Sequence, residues 1–174
     1  MKPLRLLLAS TALVVACANA PVVSPQLFPD LQQSEVAVST RAGTYRFRVW
    51  IAADDESREK GLMRVRELPS DRGMLFLFDR PQPVAFWMKD TYLSLDLVFI
   101  GPDGDVVNVA GHARPLSLDP IESDGAVIAV LEVLAGTAEK IGLQSGDRIA
   151  LPTLRTTFKP SEPAPGRPGS RPSN

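Results

Sequence analysis

The stretch Leu93–His112, LSLDLVFIGPDGDVVNVAGH, decides the fold class. Residues 93–100 are a run of apolar and β-branched side chains interrupted by one acid, Asp96. Residues 101–104, GPDG, combine a proline-set φ with two glycines, so the chain reverses there. DVVNVAGH then returns as the partner strand of a hairpin.

The same reading extends in both directions. TYRFRVWIA, residues 44–52, alternates: Tyr45, Phe47, Val49 and Ile51 share one face, and Arg46, Arg48 and Trp50 the other. That is a half-buried strand. Asp54 or Asp55 caps a short helix through SREKGLM, with Gly61 near its end. RVRELPSDRG is a polar loop. GMLFLF (73–78) is a strand that PQP is expected to break, and VAFWM (84–88) the next strand. After the hairpin come a long polar loop (113–125), a buried strand AVIAVLEV (126–133), a short helix in AGTAEKIGL, and a last strand GDRIAL (146–151). About seven short strands with one or two short helices imply a mainly β, compact barrel-like or sandwich domain, with one helix able to plug an end.

The two ends of the chain differ from this middle. Lys2 and Arg5 precede an apolar run, Leu6–Ala16, too short to span a bilayer as a mature helix and of the length of a signal peptide. Ala18-Asn19-Ala20 has the small-x-small form of a cleavage site but is followed by Pro21. Val14-Val15-Ala16-Cys17 resembles a lipobox, in which Cys17 becomes the acylated first residue and holds the protein on a membrane face. Residues 1–16 are therefore expected to be a lipoprotein-type leader cleaved before Cys17, and 17–34 a flexible tether. Residues 35–158 are expected to form a single globular domain, long enough to fold alone, and the Pro-, Gly- and Ser-rich 159–174 a disordered tail. The implied location is the periplasm or a membrane of a bacterial envelope.

Composition excludes several chemistries. Nineteen Lys and Arg stand against twenty Asp and Glu. Loss of Lys2 and Arg5 with the leader takes the net charge from −1 to −3, and no basic stripe appears, so nucleic acid is not the expected partner. The single cysteine lies outside the folded part, which removes disulfides, thiolate nucleophiles and Cys-ligated metals from it. His112 is the only histidine, so no His-His metal site forms within one chain. No phosphate-binding loop, dinucleotide fingerprint or nucleophile elbow is present. No cofactor is expected.

Three constellations remain. In FWMKDT (86–91) Val84, Phe86 and Met88 point one way and Ala85, Trp87 and Lys89 the other, with Asp90-Thr91 forming a turn. Trp87 either caps a barrel edge or offers a stacking surface with Lys89 as an anion handle. Asp96 and Glu132 each place a carboxylate in a strand that otherwise reads as buried. Either each is held by backbone or by Arg64, Arg66 or Arg72, or the two form an acid/base pair in a cleft, as a hydrolase or transferase would require. Met63, Met74, Met88, Trp87 and His112 together offer soft ligands suited to Cu(I), although the methionines also suit core packing.

Across Arg58–Leu151, the segments GLMRVRELPSDRGMLFLF, FWMKDT, LSLDLVFI and VLEVLAGTAEKIGLQSGDRI resemble, in order, domain of unknown function 192. This family of small β-rich domains often follows bacterial signal peptides. Its FWMK motif usually ends in Asn-Thr, where this chain has Asp90-Thr91, and Ser94 stands where proline is usual. The resemblance marks Gly61, Met63, Arg64, Gly73, Met74, Phe86, Trp87, Met88, Thr91, Asp96, Glu132, Gly136, Gly146 and Asp147, and implies no agreed activity. The residues expected to contact a ligand are Arg64, Trp87, Lys89, Thr91, Asp96 and Glu132. The expected function is a non-catalytic module of the envelope that binds a small molecule or a protein.

Overall fold

The computed structural model describes residues 27–152. The leader, Cys17, the first part of the tether and the Pro-rich tail lie outside the described residues. Packed structure reaches upstream of residue 35: Phe28 is buried and stacks edge-on against Trp50, with ring centroids 5.3 Å apart.

Strands β1 (Gln33–Thr40) and β2 (Gly43–Ala52) form a hairpin in which Val36 faces Phe47 and Val38 faces Tyr45. Asp54 starts α1 (Asp55–Lys60) with a reciprocal cap: its side chain accepts from the Ser57 N–H at 2.8 Å, while Ser57 Oγ accepts from the Asp54 N–H at 3.2 Å. β3 (Arg72–Gln82) returns parallel to β2, so the crossover carries α1 over the sheet. β4 (Ala85–Phe86) is short. β5 (Leu95–Ile100) and β6 (Val106–Ala113) are the hairpin read from the sequence. β7 (Ile121–Glu122), β8 (Val127–Leu134), α2 (Thr137–Ile141) and β9 (Arg148–Ala150) complete the chain.

Seven strands form one sheet in the order β6-β5-β8-β3-β2-β1-β9. The sheet curls until its edges meet. Val106 N–H donates to the Asp147 carbonyl, Gly146 N–H to the Val106 carbonyl and Ile149 N–H to the Gly104 carbonyl, at 2.7–2.8 Å. The result is barrel-like, and inside it pack Val36, Val38, Phe47, Val49, Ile51, Leu75, Val98, Ile100, Leu131 and Ile149, with Ile141 of α2 at one end. The mainly β architecture follows the sequence reading.

A second apolar layer covers the outer face of β3, β5 and β8. It is built by the connections 53–71, 83–94 and 114–126, which supply Leu62, Val65, Leu68, Met88 and Ile121 against Met74, Phe76, Leu97, Phe99 and Val130. Burial on both faces explains why these three strands read as nearly unbroken apolar runs rather than alternating ones. Each such side chain, fully buried, contributes about 1.5–3 kcal/mol.

Two local expectations differ from the structure. PQP does not end a strand: β3 continues to Gln82, which pairs with Val127 after a register shift beyond Leu77. The bulge takes up the proline without costing a central ladder bond. VAFWM is not a sheet strand either. Only Ala85–Phe86 is extended, and it pairs with β7 in a separate two-stranded ribbon, although the expected alternation of buried and exposed side chains holds from Val84 to Lys89. Among the described residues no helix is long and apolar enough to cross a membrane.

Candidate functional site

Register assigns the two embedded carboxylates to opposite faces. Asp96 on β5 lies opposite Val133, which belongs to the interior of the barrel. Glu132 on β8 lies opposite Leu97 and Met74, which belong to the outer layer. A single sheet therefore separates them, and the paired acid/base arrangement is not formed.

Their surroundings differ as much as their faces. Asp96 is 1% exposed, and both oxygens are used: Oδ1 accepts from the His112 N–H and Oδ2 from the Ala138 N–H, each at 2.9 Å. Asp96 thus ties β5 to the bulged end of β6 and to the first turn of α2. Both of its oxygens are thereby held by backbone, as a structural clamp holds two elements together. Glu132 is 5% exposed and has no hydrogen-bond partner among the described residues; burial alone pushes its carboxyl up to about 8. At neutral pH it is a carboxylic acid, able to donate.

Glu132 forms part of the floor of a cleft of about 460 Å³. Phe76 and Phe78 of β3 lie on the same floor, because alternate β3 residues after Met74 face outward. One wall is the end of α1 and the turn after it, Arg58–Met63. Gly61 occupies the turn at φ 46°, and a Cβ there would stand 3.2 Å from the Phe76 ring, so the wall can sit this close only without a side chain. Arg58 fastens the wall: its guanidinium donates to the carbonyls of Ala53 at 2.6 Å and Leu77 at 2.8 Å and pairs with Asp55 at 2.6 Å.

The opposite wall is the segment Gln82–Trp87, with Thr91 behind it. Phe86 meets Phe76 edge-to-face, centroids 5.0 Å apart. The segment is pinned from outside by Val84 N–H to Ser123 Oγ at 3.0 Å and Met88 N–H to the Ser117 carbonyl at 2.9 Å. Trp87 stands at the mouth, 49% exposed, with the Lys89 ammonium 5.3 Å from its ring centroid. Thr91 is buried and its hydroxyl donates to the Lys89 carbonyl at 3.1 Å. Asp90, at the tip of this turn, has φ 54°, a conformation that Asp and Asn share, so the usual family asparagine and this aspartate serve the turn alike.

Of the six residues expected to contact a ligand, Trp87, Thr91 and Glu132 line one cleft. Lys89 is joined to them through Trp87. Arg64 is exposed and lines a neighbouring groove with Glu56, Glu59 and Lys60. Asp96 is on the far face. The copper constellation is not assembled: Met74 and Met88 are fully buried core, Met63 lies in the cleft, and His112 stands beside Glu139 of α2, 3.8 Å away. Sequence reasoning missed Phe76, Phe78 and Gly61 as cleft residues. Their signal, an apolar i, i+2 pair and a glycine after a short helix, acquires meaning only once β3 is placed beside β8.

The sequence profile of DUF192, described as Uncharacterized ACR, matches residues 37–151. The chain belongs to the DUF192 family. A solved structure from Sinorhizobium meliloti 1021, provisionally described as a transcription regulator, is 40% identical; the match covers 69% of this chain and 94% of that one, with a TM-score of 0.67. A protein of unknown function from Novosphingobium aromaticivorans DSM 12444 is 36% identical over 77% of this chain and 94% of its own, with a TM-score of 0.70. No curated protein matches. The DUF192 match spans both walls and the floor of the cleft.

Proposed function

We propose that this DUF192 domain is a non-catalytic binding module of a bacterial envelope, and that the cleft above Glu132 takes a small, largely apolar ligand. One observation carries the reading. The Glu132 carboxyl makes no hydrogen bond within the described residues, burial pushes it up to about 8, and it faces an open, aromatic-lined cleft. A ligand that completes the hydrogen bond accounts for its presence there. Anchoring through an acylated Cys17 would hold this cleft at a membrane face of the envelope, a placement supported by the leader sequence and the lipobox resemblance.

A fragment screen on the full chain, followed through the Met63 methyl and Trp87 indole resonances, tests the binding reading. Hits are expected to shift both together, and Trp87→Ala is expected to weaken them at least threefold with an unchanged melting temperature. Hits that leave both resonances in place, or a Trp87→Ala variant with the full ligand profile, would remove the site. The mass of the protein extracted from membranes tests the anchor: it should equal residues 17–174 plus acyl chains.

A further inference from the structure

Resting on that reading, the electrostatics of the cleft narrow the class of its ligand. A cationic head group needs an ionised carboxylate, and Glu132 has no neighbour that would favour ionisation; the segment from Gln82 to Trp87 and the facing residues of β3 and β5 bring no charge to it. The charged groups lining the cleft are Arg58, Glu59 and Lys60, all on α1. A ligand cation would find no ionised partner at the floor, and the wall it passes carries two positive groups against the one negative Glu59. An anionic head group fares no better at the floor. The Arg58 guanidinium is already committed to two carbonyls and to Asp55, and the Lys60 ammonium, on the same wall, lies over the Phe28 ring, 5.8 Å from its centroid. The free cations, Lys60 on the wall and Lys89 over the Trp87 ring at the mouth, do not act on the Glu132 carboxyl, whose only perturbation is burial, so an anion held beside it at the floor would be desolvated away from both, a costly state. The Thr91 hydroxyl already donates its hydrogen bond to the Lys89 carbonyl.

What remains unsatisfied is one donor at the bottom of an apolar cleft. We infer that the ligand is an apolar molecule ending in an uncharged hydrogen-bond acceptor, such as an amide or ester carbonyl, and that Glu132 donates to it as a carboxylic acid. The aromatic floor and the Met63 and Trp87 side chains take the apolar body, and the acid selects the head group. A site built to make one buried hydrogen bond discriminates strongly against molecules that leave it unmade.

Three probes on one skeleton test this: 4-phenylbutanamide, 4-phenylbutylammonium and 4-phenylbutanoate, titrated into the full chain at pH 6 and read at Met63 and Trp87. The amide is expected to bind at least tenfold more tightly than either charged probe. Glu132→Gln, which keeps a donor, should hold the amide within threefold of wild type, and Glu132→Leu should lose tenfold or more. With the Glu132 carboxyl titrating near 8, raising the pH to 9.5 leaves only the small protonated fraction competent, weakening the wild type about thirtyfold. Glu132→Gln should be indifferent to that change. Preference for the ammonium or the carboxylate, or undiminished amide binding by Glu132→Leu, overturns the ligand class while leaving the cleft as a binding site. If none of the three probes moves Met63 or Trp87, the cleft reading itself fails with it.

Discussion

Replacing Glu132 by glutamine should make the protein's stability less dependent on pH, in a predictable direction. The folded-state carboxyl titrates near 8 and the ordinary glutamate value is 4.5. Between those values the native state keeps a proton that the unfolded chain releases, so the wild type loses stability as pH rises. The loss is complete above about 8 and absent below 4.5. At about 1.4 kcal/mol per pH unit, the difference accumulated between pH 5 and pH 9 is on the order of 4 kcal/mol. The substituted amide cannot titrate, and every other group is common to both proteins. The gap between mutant and wild-type stability should therefore grow by about 4 kcal/mol in the mutant's favour from pH 5 to pH 9, a shift in relative melting temperature of roughly 15 °C for a domain of this size. Urea unfolding of both proteins at pH 5, 7 and 9 measures it. Parallel pH profiles, agreeing within about 0.5 kcal/mol across that range, would refute a buried and unpartnered acid.

Three further substitutions separate the cleft from its supports. Asp96→Ala leaves the His112 and Ala138 N–H groups without an acceptor; a loss of about 3 kcal/mol in urea unfolding is expected, while the fragments that bind the wild type still shift Trp87. Asp54→Ala removes the α1 cap and should cost about 1 kcal/mol, measured the same way, with broadening of resonances along Ser57–Gly61. Gly61→Ala places a methyl group against Phe76 at a left-handed φ; it should lower stability by about 1–2 kcal/mol and weaken cleft ligands, whereas an unaltered affinity would detach Gly61 from the site.

Much of the fold is legible in the residues because it rests on local rules. The alternation of Tyr45, Phe47, Val49 and Ile51 against Arg46 and Arg48 is the pleat of β2, and Gly101–Gly104 is the reversal between β5 and β6. What failed was set by partners distant in sequence. Pro81 would end a strand whose every N–H were needed, but β3 bulges past Leu77 and needs none there. Phe86 and Trp87 read like another sheet strand, yet the strand positions beside β5, β8 and β3 are filled, and the segment is left to pair with Ile121–Glu122 instead. The site was legible as a set of side-chain types and not as a place. Trp87, Thr91 and Glu132 were identifiable as conspicuous; that they meet across one cleft depends on the register of β8 against β3 and β5.

Asp96 and Glu132 show why a carboxylate within an apolar strand carries no meaning by itself. Each interrupts a run of aliphatic residues and each ends up at least 95% buried. Asp96 faces the end of the barrel, where the bulge in β6 and the first turn of α2 turn two backbone N–H groups toward it; those groups need an acceptor, and the carboxylate strengthens the join. Glu132 faces the outer layer one strand away, where the covering connections bring aromatic rings and no donor. Had the outer layer been built only to seal the sheet, a leucine in place of Glu132 would seal it better and raise stability at neutral pH by the desolvation energy that the acid forfeits. The same layer leaves a cleft open directly above that position and narrows it with a glycine on one side and Phe86 on the other. A carboxyl with no hydrogen bond inside the protein and a lined opening are two departures from the most stable arrangement, and they coincide at one point. That coincidence, more than any single residue, separates a binding site from a flaw in the packing.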